Sequence, residues 1–181
     1  MDLKQENGFT LIELLIVSAV TIVISISLVT NFVDSQKNQS LNNSVALFSA
    51  DVRKAQSLSS STFQFQGNKV CGYGLHYLNS TSYIIYAIPR PVGTNCGTLN
   101  HNYTSGRDLT YETINIKVVN ITVTSFSDIF FEPPDLKVYI DDKAFPPQPA
   151  GTSTKASFCF KGDAVNCRSL EIFLSGQINF L

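Results

Sequence analysis

The chain has 181 residues, only two histidines, and no proline before Pro89. It contains no G-x-S-x-G elbow, no P-loop and no H-E-x-x-H. The first absence removes the turn that presents a hydrolase serine. The second removes the phosphate cradle, and the third a helical zinc pair. A Ser-His-acid triad would have to use His76 or His101. His76 falls in a strand pattern and His101 in an Asn-rich loop, so both read as ordinary side chains and the chain as a non-enzyme without cofactor. The four cysteines include no C-x₂-C pair, which leaves a zinc site without its usual spacing. No internal repeat is present. Cations are also scarce. Lys4 is the only one before Asp34, and taking it and the acids Asp2, Glu6 and Glu13 from totals of 13 and 14 leaves 12 cations against 11 acids. That near balance gives phosphate binding weak electrostatic footing.

What the chain does have is one long apolar run. Leu14 to Val33 holds no charge, no proline and no glycine. At the α-helical rise it would span roughly 30 Å, the thickness of a bilayer's hydrocarbon core. A helix buried in a globular core rarely stays apolar on every face for so long. A cleaved secretory signal fits poorly as well. Its apolar region is shorter, and Thr30, Asn31 and Phe32 do not make a small-residue exit. The run therefore reads as a membrane-spanning helix. Lys4 on one side, with Asp34 and Lys37 on the other, weakly favours an N-terminus that stays inside.

Glu13 stands at the front of this run. An acidic side chain at a helix centre in lipid costs about 2.5 to 3.5 kcal/mol, less near an end, and such a residue marks function by default. No cation lies within one helical turn of it. Cleavage after Gly8 would supply one, because the freed α-amino group of Phe9 would sit four residues before Glu13.

The segment MDLKQENG followed by FTLIELLIVSAV resembles the N-terminus of type IV pilins and type II secretion pseudopilins. The resemblance implies a short charged leader, Met1–Gly8, removed after Gly8 by a membrane-embedded prepilin peptidase. The same enzyme would N-methylate the new first residue, Phe9. It also implies a role for Glu13, the fifth mature residue. Its carboxylate would pair with the Phe9 ammonium of a subunit already in place, an attraction that a low dielectric strengthens. The implied partners are the prepilin peptidase, other pilin or pseudopilin subunits and an inner-membrane assembly platform.

Beyond the run the helical pattern continues. Leu41, Val45, Phe48, Val52, Ala55 and Leu58 lie on one face. The spacing predicts one helix from about Phe9 to Ser60, amphipathic in its second half and in need of a sheet to cover its stripe. After Gln66 the period becomes 2. Val70–Tyr77 and Tyr83–Ile88 read as a hairpin around Asn79–Ser82. Ile114–Thr124, Ser127–Phe131, Lys137–Ile140, Ala156–Lys161 and Leu170–Leu174 read as further strands, with Gln177–Leu181 a last, edge one. Pro133–Pro134 and Pro146–Pro149 read as loops. The expected fold is α+β, a long N-terminal helix on an antiparallel β-sheet or sandwich head. The expected domains are a leader at 1–8, a transmembrane helix at 9–33, its amphipathic continuation at 34–62 and a β-rich head at 63–181.

Four cysteines suit an oxidising compartment. Of three pairings, Cys71–Cys96 and Cys159–Cys167 are favoured. One clamps a hairpin to the segment after it, and the other crosses a tight hairpin turning at Lys161–Ala164. Each closure would contribute on the order of 3 kcal/mol.

ALFSADVRKAQSLSSS, CGYGLHY, FEPPD and LEIFLSGQINF resemble, more loosely, the GspH and FimT-like minor pseudopilins. The function implied is a structural subunit, a minor one, of a type IV pilus or type II secretion pseudopilus. It would sit in the bacterial inner membrane before assembly and in a periplasmic or extracellular filament afterwards. The alternative is a tip protein that binds DNA or a surface. FimT-like DNA binders carry a basic C-terminal tip, but Ser175–Phe180 holds no cation. Lys155, Lys161 and Arg168 could cluster on one hairpin, against the plainer reading of scattered solvated charges. Asp141, Asp142 and Asp163 are of the right type for calcium, but adjacent acids in a loop are common without it, and no metal is expected. The N-x-S/T triplets at Asn38, Asn42, Asn79, Asn102 and Asn120 follow from composition alone.

Overall fold

A computed structural model describes residues 10–61, 64–118, 120–144, 151–163 and 165–181, and only the backbone of 27–34. The chain divides into two compact units, residues 1–39 and 40–181. Among the described residues it is α+β, with one long helix, α1, at Leu11–Ser61 and eleven strands. No glycine falls between Gly8 and Gly67 and no proline precedes Pro89, so nothing in the sequence interrupts α1. Ser60 and Ser61 end it. Their hydroxyls donate back to the carbonyls of Gln56 (3.0 Å) and Ser57 (2.7 Å), competing with further helical turns.

The strands are β1 (Gln64–Phe65), β2 (Asn68–Asn79), β3 (Ser82–Pro89), β4 (Leu109–Asn115), β5 (Ile121–Val123) and β6 (Ile129–Glu132). They continue as β7 (Lys137–Ile140), β8 (Lys143–Ala144), β9 (Ser153–Phe160), β10 (Cys167–Phe173) and β11 (Ile178–Phe180). A seven-stranded sheet has the order β4-β3-β2-β6-β7-β8, with β1 also on β2. A four-stranded sheet has the order β11-β10-β9-β5. Every pairing is antiparallel.

In the second unit, the helical stripe read from the sequence is the core. Leu41, Val45, Phe48, Val52 and Ala55 are buried, with Leu58 half-buried beside them. Phe48 is fully enclosed. Its ring meets Tyr83 of β3 at 5.1 Å, Phe126 at 5.2 Å and Phe158 of β9 at 5.5 Å, so one side chain joins the helix to both sheets. Strand β3 is buried along almost its whole length, which is why its sequence runs apolar without alternating. Tyr83, Ile85 and Ala87 face α1. Ile84, Tyr86 and Ile88 face a second cluster, closed by Cys96, Leu99 and Tyr103 of the β3–β4 loop. Strand β2 approaches β6 so closely that a Cβ on Gly74 would lie 2.5 Å from the Ile129 carbonyl oxygen. Only glycine fits there.

Two expectations are corrected. Ile114–Thr124 is not one strand. The end of β4 and the whole of β5 belong to different sheets, and the chain turns at Asn120, whose φ is 67°, between them. Asparagine tolerates that left-handed conformation, and Ile116–Val118 uses its apolar side chains to bridge the sheets rather than to extend a ladder. The short strands β1 and β8 and the first five residues of β4 were not anticipated. The expected membrane span at 9–33 is not borne out, since among the described residues no helix is long and apolar enough to cross a membrane. The described side chains of the apolar run end at Ile26. The leader, Gly8 and Phe9 lie outside the described residues, as do Pro146–Pro149 and Ala164 of the predicted hairpin turn.

Phe48→Ala should lower stability by about 3–5 kcal/mol through the cavity it leaves. Leu47→Ala, at the exposed neighbouring position, should change it by less than about 0.5 kcal/mol. Denaturant midpoints of the full chain in mild detergent compare the two.

Candidate functional site

Thr10 precedes the first turn of α1, and its hydroxyl accepts the Glu13 backbone N–H at 3.4 Å. The spacing T-x-x-E is that of a capping box. Glu13 is thus an acid in the first turn, where the helix dipole favours negative charge. Its side chain is exposed.

Around it the helix is apolar on every side, and nothing covers it. Leu11 is 80% exposed and Ile12 67%, and Leu14, Ile16, Val20, Ile22, Val23 and Ile26 are each more than half exposed. The hydroxyls interspersed in this run are satisfied within the helix. Ser18 donates to the Leu15 carbonyl (2.9 Å), Thr21 to Val17 (3.0 Å) and Ser18 (2.9 Å), and Ser25 to Thr21 (2.7 Å). A helix in lipid or among other helices needs this, since no water would be there to serve those groups. Sequence reading identified the apolar run but not how its hydroxyls are spent.

The family model for the prokaryotic N-terminal methylation motif matches residues 3–29, a stretch containing Gly8, Phe9 and Glu13. The chain carries a prokaryotic N-terminal methylation motif at its N-terminus. No curated protein matches it. The crystal structure of the type IV minor pilin FimU of Pseudomonas aeruginosa aligns with 80% of this chain and 90% of its own, at 13% identity and a TM-score of 0.48, too slight a likeness to argue from. The motif implies processing by a prepilin peptidase and assembly with other pilins.

In the second unit both favoured disulfides are formed, Cys71–Cys96 and Cys159–Cys167. The second joins residues directly opposite each other on β9 and β10. The two histidines each meet an aspartate. His76 Nδ1 lies 2.6 Å from Asp128, which also accepts the Tyr103 N–H. His101 lies in the β3–β4 loop and is buried there, its Nδ1 and backbone nitrogen each 2.8 Å from Asp142 Oδ1. Its ring stacks on Tyr139 at 3.6 Å. These pairs fasten the β3–β4 loop and bring no nucleophile into line. They join residues 41 and 52 positions apart, a separation that no local pattern signals.

Asp142 is occupied by His101, and Asp141 faces Asn102 and Lys143. Asp163 closes its own turn by accepting from Val165 and Asn166. Among the described residues no cluster of His, Cys, Asp or Glu could hold a metal ion. Two of the three basic residues of the β9–β10 hairpin, Lys155 and Arg168, do not converge. Arg168 pairs in register with buried Phe158, and Lys155 with Glu171, so Arg168 and Lys155 lie on opposite faces of the sheet.

A groove of about 380 Å³ opens between α1 and β4, lined by Leu47, Asp51, Tyr83, Ile114 and Ile116 among others. Asp51 accepts the Tyr83 hydroxyl at 2.6 Å. Burial pushes the Asp51 carboxyl up, against the Tyr83 bond that pulls it down. Burial and that acid together push the Tyr83 phenol well up. Next along the helix, Lys54 pairs with Glu112, which raises the lysine.

A carboxyl raised in the fold contributes stability below its unfolded value and loses it as pH rises through the folded one. Asp51→Asn should therefore raise the melting temperature near neutral pH. The gain should fade on acidification toward about pH 4, the ordinary carboxylate range. Thermal melts of both proteins across that range provide the check.

Proposed function

We propose that this chain is a structural, non-enzymatic subunit, a minor one, of a type IV pilus or a type II secretion pseudopilus. The observation that carries the reading is a helix apolar on every side and uncovered, with one exposed carboxylate in its first turn, inside the matched methylation motif. In this reading residues 1–8 are the leader and cleavage follows Gly8. Phe9 becomes the N-methylated first residue. Residues 9–33 hold the subunit in the bacterial inner membrane, residues 34–62 continue the helix, and residues 63–181 form the head on the oxidising side, where both disulfides persist.

Assembly then exchanges lipid for sibling helices. Both are apolar, so the exchange costs the side chains little, while Glu13 gains the Phe9 ammonium of the subunit ahead of it. In a low dielectric that attraction is several times its strength in water. The carboxylate thereby sets the axial register of the incoming helix. The partners are the prepilin peptidase, the other pilins and the inner-membrane assembly platform. The GspH- and FimT-like segments support the minor role. The alternative, a DNA-binding tip, gains no support from the separated Lys155 and Arg168.

Glu13→Ala should leave cleavage after Gly8 intact and abolish incorporation into sheared filaments. N-terminal mass analysis and an immunoblot of the sheared fraction read the two steps separately. Normal polymerisation of that variant would count against the carboxylate's role.

A further inference from the structure

We infer that the head carries a reversible redox site, the Cys159–Cys167 bridge, which a dithiol opens by thiol–disulfide exchange in the folded protein while Cys71–Cys96 stays closed. This property goes beyond the filament role and does not rest on it.

Access separates the two bridges. Cys159 and Cys167 are both half-buried, so solvent reaches each end of their bridge. Cys71 is 2% exposed, packed in one cluster with Ile84, Tyr86, Ile88 and Phe130, and Cys96 lies at the margin of that cluster. Exchange needs an attacking thiolate at one sulfur and a departing thiolate at the other. An attack on Cys71 is shielded by the cluster. An attack on Cys96 would release the Cys71 thiolate among apolar side chains, which stabilise charge poorly. At Cys159–Cys167 either sulfur can be attacked, and the other departs toward water.

Support from the surrounding fold separates them too. Cys159 and Cys167 face each other at the turn end of the β9–β10 hairpin, and the pairing continues from Phe158–Arg168 to Ser153–Phe173. Ala156, Phe158, Leu170 and Ile172 hold those strands in the core, and the Ser157 and Ser169 hydroxyls meet across them at 2.8 Å. The turn has its own ties. Asp163 accepts from the Val165 and Asn166 N–H groups at 3.0 and 3.1 Å, and Lys161 N–H donates to the Asn120 carbonyl at 2.7 Å. None of these contacts uses a cysteine sulfur, so all persist when the bridge opens. The bridged residues are 8 apart in sequence, against 25 for Cys71–Cys96, so opening releases only a short loop. The two thiols stay opposite each other on paired strands, and their high effective concentration favours closing again.

The exchange balances without any group from elsewhere in the chain. One thiolate of the dithiol attacks Cys159 or Cys167, a new S–S bond forms, and the Cys159–Cys167 bond breaks. The second thiolate of the dithiol then displaces the first cysteine. Two electrons and two protons pass to the head, which gains two thiols, and the dithiol leaves as its own disulfide.

The test uses the purified full chain in detergent micelles, treated with dithiothreitol at neutral pH, sampled over time and alkylated. Peptide mass spectrometry reads each cysteine pair. Cys159 and Cys167 should be alkylated at least about tenfold faster than Cys71 and Cys96. At that stage the head should still melt in one cooperative transition. Replacing dithiothreitol by oxidised glutathione should close the bridge again without refolding. The double variant Cys159→Ser with Cys167→Ser should fold with Cys71–Cys96 intact. Equal rates for the two pairs would overturn the proposal, as would opening of Cys159–Cys167 only when the head melts. A double variant that fails to fold would also overturn it, and so would an opened pair that oxidised glutathione does not close.

Discussion

The head depends on the burial of one stripe of α1. Neither sheet is closed, and each has an apolar face that would otherwise meet water. The stripe from Leu41 to Ala55 covers both faces at once, and Phe48 sits where they meet. Its ring touches an aromatic of each sheet and one of the segment joining them. Burying such a ring is among the larger single contributions a core can make. The buried serine at position 59 adds direction, its hydroxyl accepting the Tyr73 N–H of β2 at 2.9 Å. The helix is thus tied to the larger sheet by a polar bond as well as by packing.

The first unit obeys the opposite rule. Its described helical residues have nothing to bury against, so every large side chain there is exposed. Its polar groups are served internally, since Ser18, Thr21 and Ser25 return their hydroxyls to the backbone and Thr10 serves the first turn. One helix therefore contains two solutions to the same problem, a stripe that a sheet completes and a surface that completes itself. The proposed filament role assigns the second solution to lipid and then to sibling helices.

Much of this was legible in the residues. The stripe of α1 was readable because its period is 3.6 and uninterrupted. β7 was readable because it is short and bounded by turn residues on both sides. The disulfides followed from hairpin logic. The join at residues 116–120 was not readable, because Ile116 and Val118 are apolar in both a strand and a crossover, and only the tertiary fold separates the two cases. The burial of His101 was unreadable for a related reason. Its neighbours are polar asparagines, but its burial comes from Phe130, Tyr139 and Asp142, distant in sequence. The dispersal of Lys155 and Arg168 likewise depends on register, which a one-residue slip would reverse.

The β3–β4 loop has a consequence for timing. It seals the outer side of β3, and the Cys71–Cys96 bridge anchors its near end. While those thiols are reduced, that anchor is missing and the loop has far more conformations to lose on docking. Ile84, Tyr86 and Ile88 would then spend part of their time uncovered, and sticky. Maturation of the head is thereby coupled to the redox state of its surroundings. A newly made chain holds its second hydrophobic cluster through the His101–Asp142 and Tyr103–Asp128 contacts alone until an oxidant adds the Cys71–Cys96 anchor.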